Sequence, residues 1–165
     1  MTPFWVEADP QIRLAIVSRP RGNDWLGDEL SHMKRAGVDV LVSMLQPEEA
    51  AELGLSAEAE LCAARGIQFR SFPIPDRETP FSTAAFAEFV ADLQVEIHAG
   101  RSVAVHCRAS IGRSSLLLAA LLTAEGLTPG EAFRRLSKAR GLQVPDTPDQ
   151  IRWVERFAAR QANDK

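Results

Sequence analysis

Residues 102–125 constrain this chain more than any other segment. SVAVH is a short apolar run of strand length, and beyond a turn the stretch from Ser114 to Glu125 is apolar almost all round. A helix with no polar face must be packed on several sides, as helices are in the middle of a domain. A buried strand running through a short turn into a buried helix is the central unit of a layered α/β structure.

The rest of the chain repeats that alternation. FWVEADPQIRLAIVS reads as two short strands about a turn at Asp9 and Pro10, with Ile12, Leu14 and Ile16 alternating. Asn23 or Asp24 is placed to cap a helix running to Ala36, with Gly37 as its stop. VDVLVSML from Val38 reads as a strand. A short acidic helical piece begins at Pro47, and a second helix, capped at Ser56 and ended by Gly66, leads into the strand IQFRSF. After the loop PIPDRETP, Phe81 to His98 is helical, with Phe86, Phe89, Val90 and Leu93 on one face. Two final helices open with capping-box patterns at Thr128 to Glu131 and Thr147 to Gln150. The expected fold is α/β, a mostly parallel central sheet of four or five strands with helices on both faces, in one domain over residues 1–165. In such sheets ligands bind beyond the carboxyl ends of the strands.

Composition narrows the function classes. With 19 basic and 22 acidic residues the net charge is −3, too weak a field to hold nucleic acid or an anionic membrane surface, so any bound anion needs a local site. Two cysteines, Cys62 and Cys107, are too few for a disulfide framework and suit a reducing compartment. No signal-peptide pattern opens the sequence and no apolar run approaches the ~20 residues of a spanning helix, which gives a cytoplasmic expectation. His32 and His98 have no partners at metal-ligand spacing, and neither metal nor cofactor is expected.

The chemistry sits in HCRASIGRS, which places Cys107 and Arg113 six positions apart between a strand and a helix. The helix start at Ser114 offers unpaired amides and a partial positive charge, and a loop curling over it aims more amides inward, forming a pocket for a dianion. Arg113 adds a planar fork for two phosphate oxygens. The same field favours thiolate at Cys107. Ser114 is placed to donate to that sulfur as it leaves, and His106 to orient the loop from behind.

HCRASIGRS resembles the signature loop of the cysteine-dependent protein tyrosine phosphatases, and the brevity of the chain resembles their compact dual-specificity branch, including its bacterial members. The resemblance implies that Cys107 attacks phosphorus, that Arg113 and the loop from Arg108 through Ala109, Ser110, Ile111 and Gly112 bind the phosphoryl oxygens, and that a cysteinyl-phosphate forms and is hydrolysed. Vanadate-like oxyanions are then expected to bind the loop, with a phosphorylated protein or peptide as substrate. One departure stands out: these enzymes usually carry glycine where this chain has Ser110, and a positive φ there would strain a serine.

A poor leaving group needs a proton donor on a second loop. Asp76 in PIPDRETP follows a strand as the signature loop does, and the 31 residues from 76 to 107 allow one crossover helix between neighbouring strands. This matches the family's general-acid aspartate; the alternative is an aspartate that only initiates a turn after Pro75. Asp92 and Asp146 are weaker rivals. Arg19 and Arg21 read as solvated, Arg108 and Arg77 as either substrate or solvent contacts, and Gln150 as a cap rather than a water-positioning group. Cys62 reads as buried and inert, and the Glu-rich stretch 48–60 as a solvated face. Competing readings are a rhodanese-like sulfurtransferase, a phosphatase of nucleotides or inositol phosphates, and a pseudophosphatase that binds phosphoproteins without turnover.

Overall fold

The computed structural model describes residues 2–164. Five strands form one sheet, β1 (Phe4–Trp5), β2 (Leu14–Ile16), β3 (Val40–Ser43), β4 (Gln68–Ser71) and β5 (Val103–His106), in the order β1-β2-β5-β3-β4. Only β1 runs antiparallel, so β2 to β5 end at the same edge, as expected for a mostly parallel sheet. Side chains alternate across it. Leu14, Ile16, Val40, Val42, Val103 and Val105 enter one apolar core, while Ala15, Leu41 and Ala104 enter the other.

Helices α4 (Thr83–His98), α5 (Arg113–Ala124), α6 (Pro129–Arg140) and α7 (Pro148–Asn163) cover the first face, and α1 (Leu26–Arg35) and α3 (Glu58–Ala63) the second. The helix α2 (Pro47–Glu52) follows β3 directly. Every residue of α5 from Arg113 to Leu122 is buried, which is why its sequence has no polar stripe. Each of its leucines stabilises the fold by roughly 1.5–3 kcal/mol relative to exposure.

Local signals at the helix ends divide into those the structure uses and those it does not. Thr147 and Gln150 form the full reciprocal capping box of α7, with Pro148 in the first turn. Thr128 accepts from Glu131 N–H, but the Glu131 carboxylate is drawn to Arg135 instead of returning to the cap, so that box is half made. A 3-10 turn over Asn23–Trp25 precedes α1 and no side chain caps it. Ser56 does not cap α3 either; Ala57 occupies the cap position without a side-chain bond. Gly37 does end α1, with φ 96°.

The expected adjacency of the strands before Asp76 and Cys107 is wrong: β3 lies between β4 and β5. The loop after β4 nevertheless returns toward the centre, because Phe72 N–H donates to Ser43 O and Ile74 N–H to Met44 O. Phe72 also meets Phe86 edge-on at 5.4 Å, in an aromatic cluster with Phe89, Trp153 and Phe157 that fastens this loop to α4 and α7.

Candidate active site

Three segments converge where the parallel strands end. The signature loop, residues 107–112, leaves β5 and feeds α5; α2 follows β3; the Asp76 loop leaves β4. Their meeting point is the guanidinium of Arg113, which is 1% exposed. Nη1 donates to Glu49 Oε2 at 2.7 Å and to Ile74 O at 2.7 Å, and Nη2 donates to Glu49 Oε1 and to Asp76 Oδ1, both at 3.0 Å. Its Nε is buried without any acceptor among the described residues. Burial opposes the charge on Arg113, but Glu49, with the nearby Cys107 and Asp76, more than offsets it and raises its pKa. Glu49 shows the mirror effect: burial would raise its carboxyl, yet Arg113, the Gln46 N–H and Arg108 hold it below the ordinary carboxylate range.

Cys107 is 2% exposed and lies at the inner end of the loop. Behind it, His106 Nδ1 lies 3.4 Å from the Cys107 carbonyl oxygen and Nε2 lies 2.6 Å from Glu58 Oε1, with both side chains buried. The residue between strand and loop is thus gripped from α3. Ser110 has φ 56°, the left-handed conformation that its serine makes costly, and its Oγ donates to Val17 O at 2.5 Å. Gly112 is seated so tightly that a Cβ there would strike the Asp146 carboxylate and come within 2.9 Å of Gln150 Oε1. Ser114 Oγ is buried with no hydrogen-bond partner among the described residues, so in this state it does not bond the sulfur. None of the backbone N–H groups of residues 108–112 has a protein acceptor among the described residues, whereas the carbonyls of 108, 109 and 110 all do. Successive amides of this kind beside a helix start are chemically suited to an anion.

Asp76 lies in a turn, closed by Glu78 N–H onto Pro75 O, and its carboxylate also reaches Arg113. Arg77, with φ 64°, is exposed in that turn. Arg108 bends away from the loop toward Glu49 and Glu52 on α2. Asp92 pairs with Arg70 at 3.3 Å and belongs to α4, away from this cluster. Gln150 does cap α7, and its Nε2 also donates to Glu78 O, tying that helix to the Asp76 loop.

Two readings of charged residues need correction. The stretch 48–60 is no simple solvated face, because Glu49 and Glu58 turn inward onto Arg113 and His106. Arg19 is half-buried and donates from Nε to Arg108 O at 3.2 Å, whereas Arg21 is exposed as expected, although it also pairs with the buried Glu29 and stacks on Trp25. Cys62 is buried as expected, and burial together with nearby Glu58 pushes its thiol up to about 12. Among the described residues no group of His, Cys, Asp and Glu side chains is arranged to hold a metal.

A family model described as "Tc-R-P: Polymorphic toxin system, DSP-PTPase phosphatase" matches residues 15–127, the span from β2 through the end of α5. The chain belongs to this DSP-PTPase family. A curated relative, Cyclin-dependent kinase inhibitor 3 of Sus scrofa, is 30% identical over 94 residues, covering 56% of this chain. The match spans only 44% of that relative's length. Among solved structures, a kinase associated phosphatase with its catalytic-site cysteine replaced by serine superposes with TM-score 0.85 at 20% identity, covering 98% of this chain and 96% of the other. Tk-PTP in the active form gives TM-score 0.78 at 23% identity, covering 96% and 97%. The α/β arrangement described above is therefore the DSP-PTPase fold, and the signature loop and Arg113 both lie inside the family match.

Proposed function

We propose that this DSP-PTPase is a metal-independent phosphomonoesterase of the tyrosine and dual-specificity class, acting on a phosphorylated protein or peptide through a cysteinyl-phosphate on Cys107. The reading rests on one observation: a buried Arg113, locked inward by Glu49, whose Nε, like the neighbouring loop amides, has no acceptor among the described residues. The phosphoryl group occupies that cradle, taking hydrogen bonds from Nε, Nη2 and the amides. Binding replaces the Asp76 carboxylate at Nη2 and leaves Asp76 beside the ester oxygen. Sγ attacks phosphorus, the S–P bond forms, the P–O bond to the leaving group breaks, and protonated Asp76 supplies the proton to that oxygen. Water then attacks phosphorus and gives its proton to Asp76. The S–P bond breaks, Ser114 donates to the departing sulfur, and inorganic phosphate is released.

The whole chain acts as one phosphatase domain in this reading, since a single sheet carries every site loop. The two unpaired thiols suit a reducing compartment such as the cytoplasm, and no described helix is long and apolar enough to cross a membrane. Sulfur transfer is not favoured: it needs neither Asp76 on a second loop nor a family match to phosphatases. The deciding experiment quenches wild-type protein during turnover of a 32P-labelled phosphotyrosine peptide. Label on the Cys107 peptide is the expected result, and an unlabelled or persulfidated Cys107 would refute the assignment.

A further inference from the structure

The outer face of the signature loop is held by two arginines that the reaction above does not use. Arg19, just beyond β2, donates from Nε to Arg108 O at 3.2 Å. Arg140, the last residue of α6, donates from Nε to Ser110 O at 3.0 Å and from Nη2 to Ala109 O at 3.4 Å. Three successive carbonyls are thus turned outward onto guanidinium groups. In a trans peptide the C=O and the following N–H point in opposite directions, so fixing O of 108, 109 and 110 outward fixes the N–H of Ala109, Ser110 and Ile111 inward. A cation on the carbonyl also polarises the peptide unit and makes its amide a better donor. Neither arginine has a carboxylate within ion-pair distance among the described residues, whereas Arg108 and Arg113 do. Arg140 is further pinned over the Phe4 ring at 4.9 Å, so its direction is set by packing.

We propose that Arg19 and Arg140 are positioning residues, an external clamp that keeps the loop amides aimed at the phosphoryl group and lends them positive charge without touching substrate. This deepens the phosphatase reading and rests on it. The clamp also accounts for a loop that tolerates Ser110 at φ 56°: the strained residue sits between two restraints, its own Oγ bond to Val17 O and the Arg140 bond to its carbonyl.

The test uses the full chain with Arg19→Ala, Arg19→Lys, Arg140→Ala and Arg140→Lys, and Arg134→Ala as an exposed control. Competitive inhibition by vanadate is measured beside KM and kcat for phenyl phosphate, with Tm for each variant. Each alanine variant is expected to weaken vanadate and raise KM on the order of tenfold, with the loss of one charge-assisted hydrogen bond at Arg19 and two at Arg140. Lysine should recover part of the loss at both sites, and the control should match wild type. If an alanine variant does not fold, its lysine partner carries the test, with weakened vanadate at near-wild-type Tm expected. The clamp is refuted if vanadate binding is unchanged, or if the loss merely follows Tm without lysine rescue. A wild-type protein that neither hydrolyses phenyl phosphate nor binds vanadate would instead strike the phosphatase reading itself.

Discussion

Glu49 meets Arg113 fork to fork, with two nearly parallel hydrogen bonds of 2.7 and 3.0 Å between partners 64 positions apart in sequence. The pair fixes the plane of the guanidinium and so decides where its free Nε points. Glu49→Gln keeps the shape but removes the charge and one acceptor, and kcat/KM should fall by about ten- to a hundredfold. Steady-state kinetics on phenyl phosphate checks this; an unchanged value would mean that Arg113 is oriented without Glu49.

Arg113→Lys tests the fork from the other side. Lysine retains the charge but cannot span Glu49, Ile74 O and a phosphoryl oxygen together, so most activity should vanish while Cys107→Ser still binds vanadate or phosphopeptide without turnover. Isothermal titration separates the two variants by their retained affinity.

Asp76→Asn should slow hydrolysis of phenyl phosphate by on the order of 100-fold or more, while esters with very acidic leaving alcohols are affected far less. A leaving-group series measures the slope directly. Equal slowing across the series would remove Asp76 from proton transfer.

Stability should fall on acidification through identified carboxylates. Glu29, Asp39 and Glu49 are each pushed upward by burial, yet each is held low overall, by Arg21, by the Ser102 N–H with Lys34, and by Arg113 respectively. Groups lowered on folding stabilise fully above their unfolded values of about 3.9–4.3, and the contribution is lost as pH drops through the folded values. Tm should therefore be flat from pH 7 to about 5 and decline below, with a shallower decline in Glu49→Gln. Calorimetry across that range decides.

Ser110 offers a two-way comparison. Ser110→Ala keeps the φ of 56° and loses the bond to Val17 O, so it should lower both Tm and activity, by about 1–2 kcal/mol in stability. Ser110→Gly loses the same bond but relieves the backbone, and should lie between alanine and wild type. A glycine variant less stable than alanine would contradict the strain.

Much of this architecture was legible because the relevant signals are local. Apolar alternation located β2, short apolar runs located β3 and β5, the all-round apolar run located α5, and the spacing of Cys107 and Arg113 located the loop. What escaped were pairings across the chain. Glu49 and Glu58 sit among ordinary surface-like acids, and only the return of α2 and α3 over the sheet edge gives them buried partners 64 and 48 positions away. Arg19 looked solvated because a carbonyl acceptor leaves no trace in sequence. The insertion of β3 between β4 and β5 was hidden likewise, since strand order depends on crossovers rather than on the strands themselves. Ser110 was the exception: its departure from the glycine usual at that place in the resembled family pointed to the left-handed backbone that the structure contains.

The 3.0 Å contact between Asp76 and Arg113 bears on turnover as well as on binding. On the proposed mechanism a carboxylate held beside the guanidinium competes with inorganic phosphate for the same N–H donor, so removing it by Asp76→Ala should strengthen inhibition by phosphate.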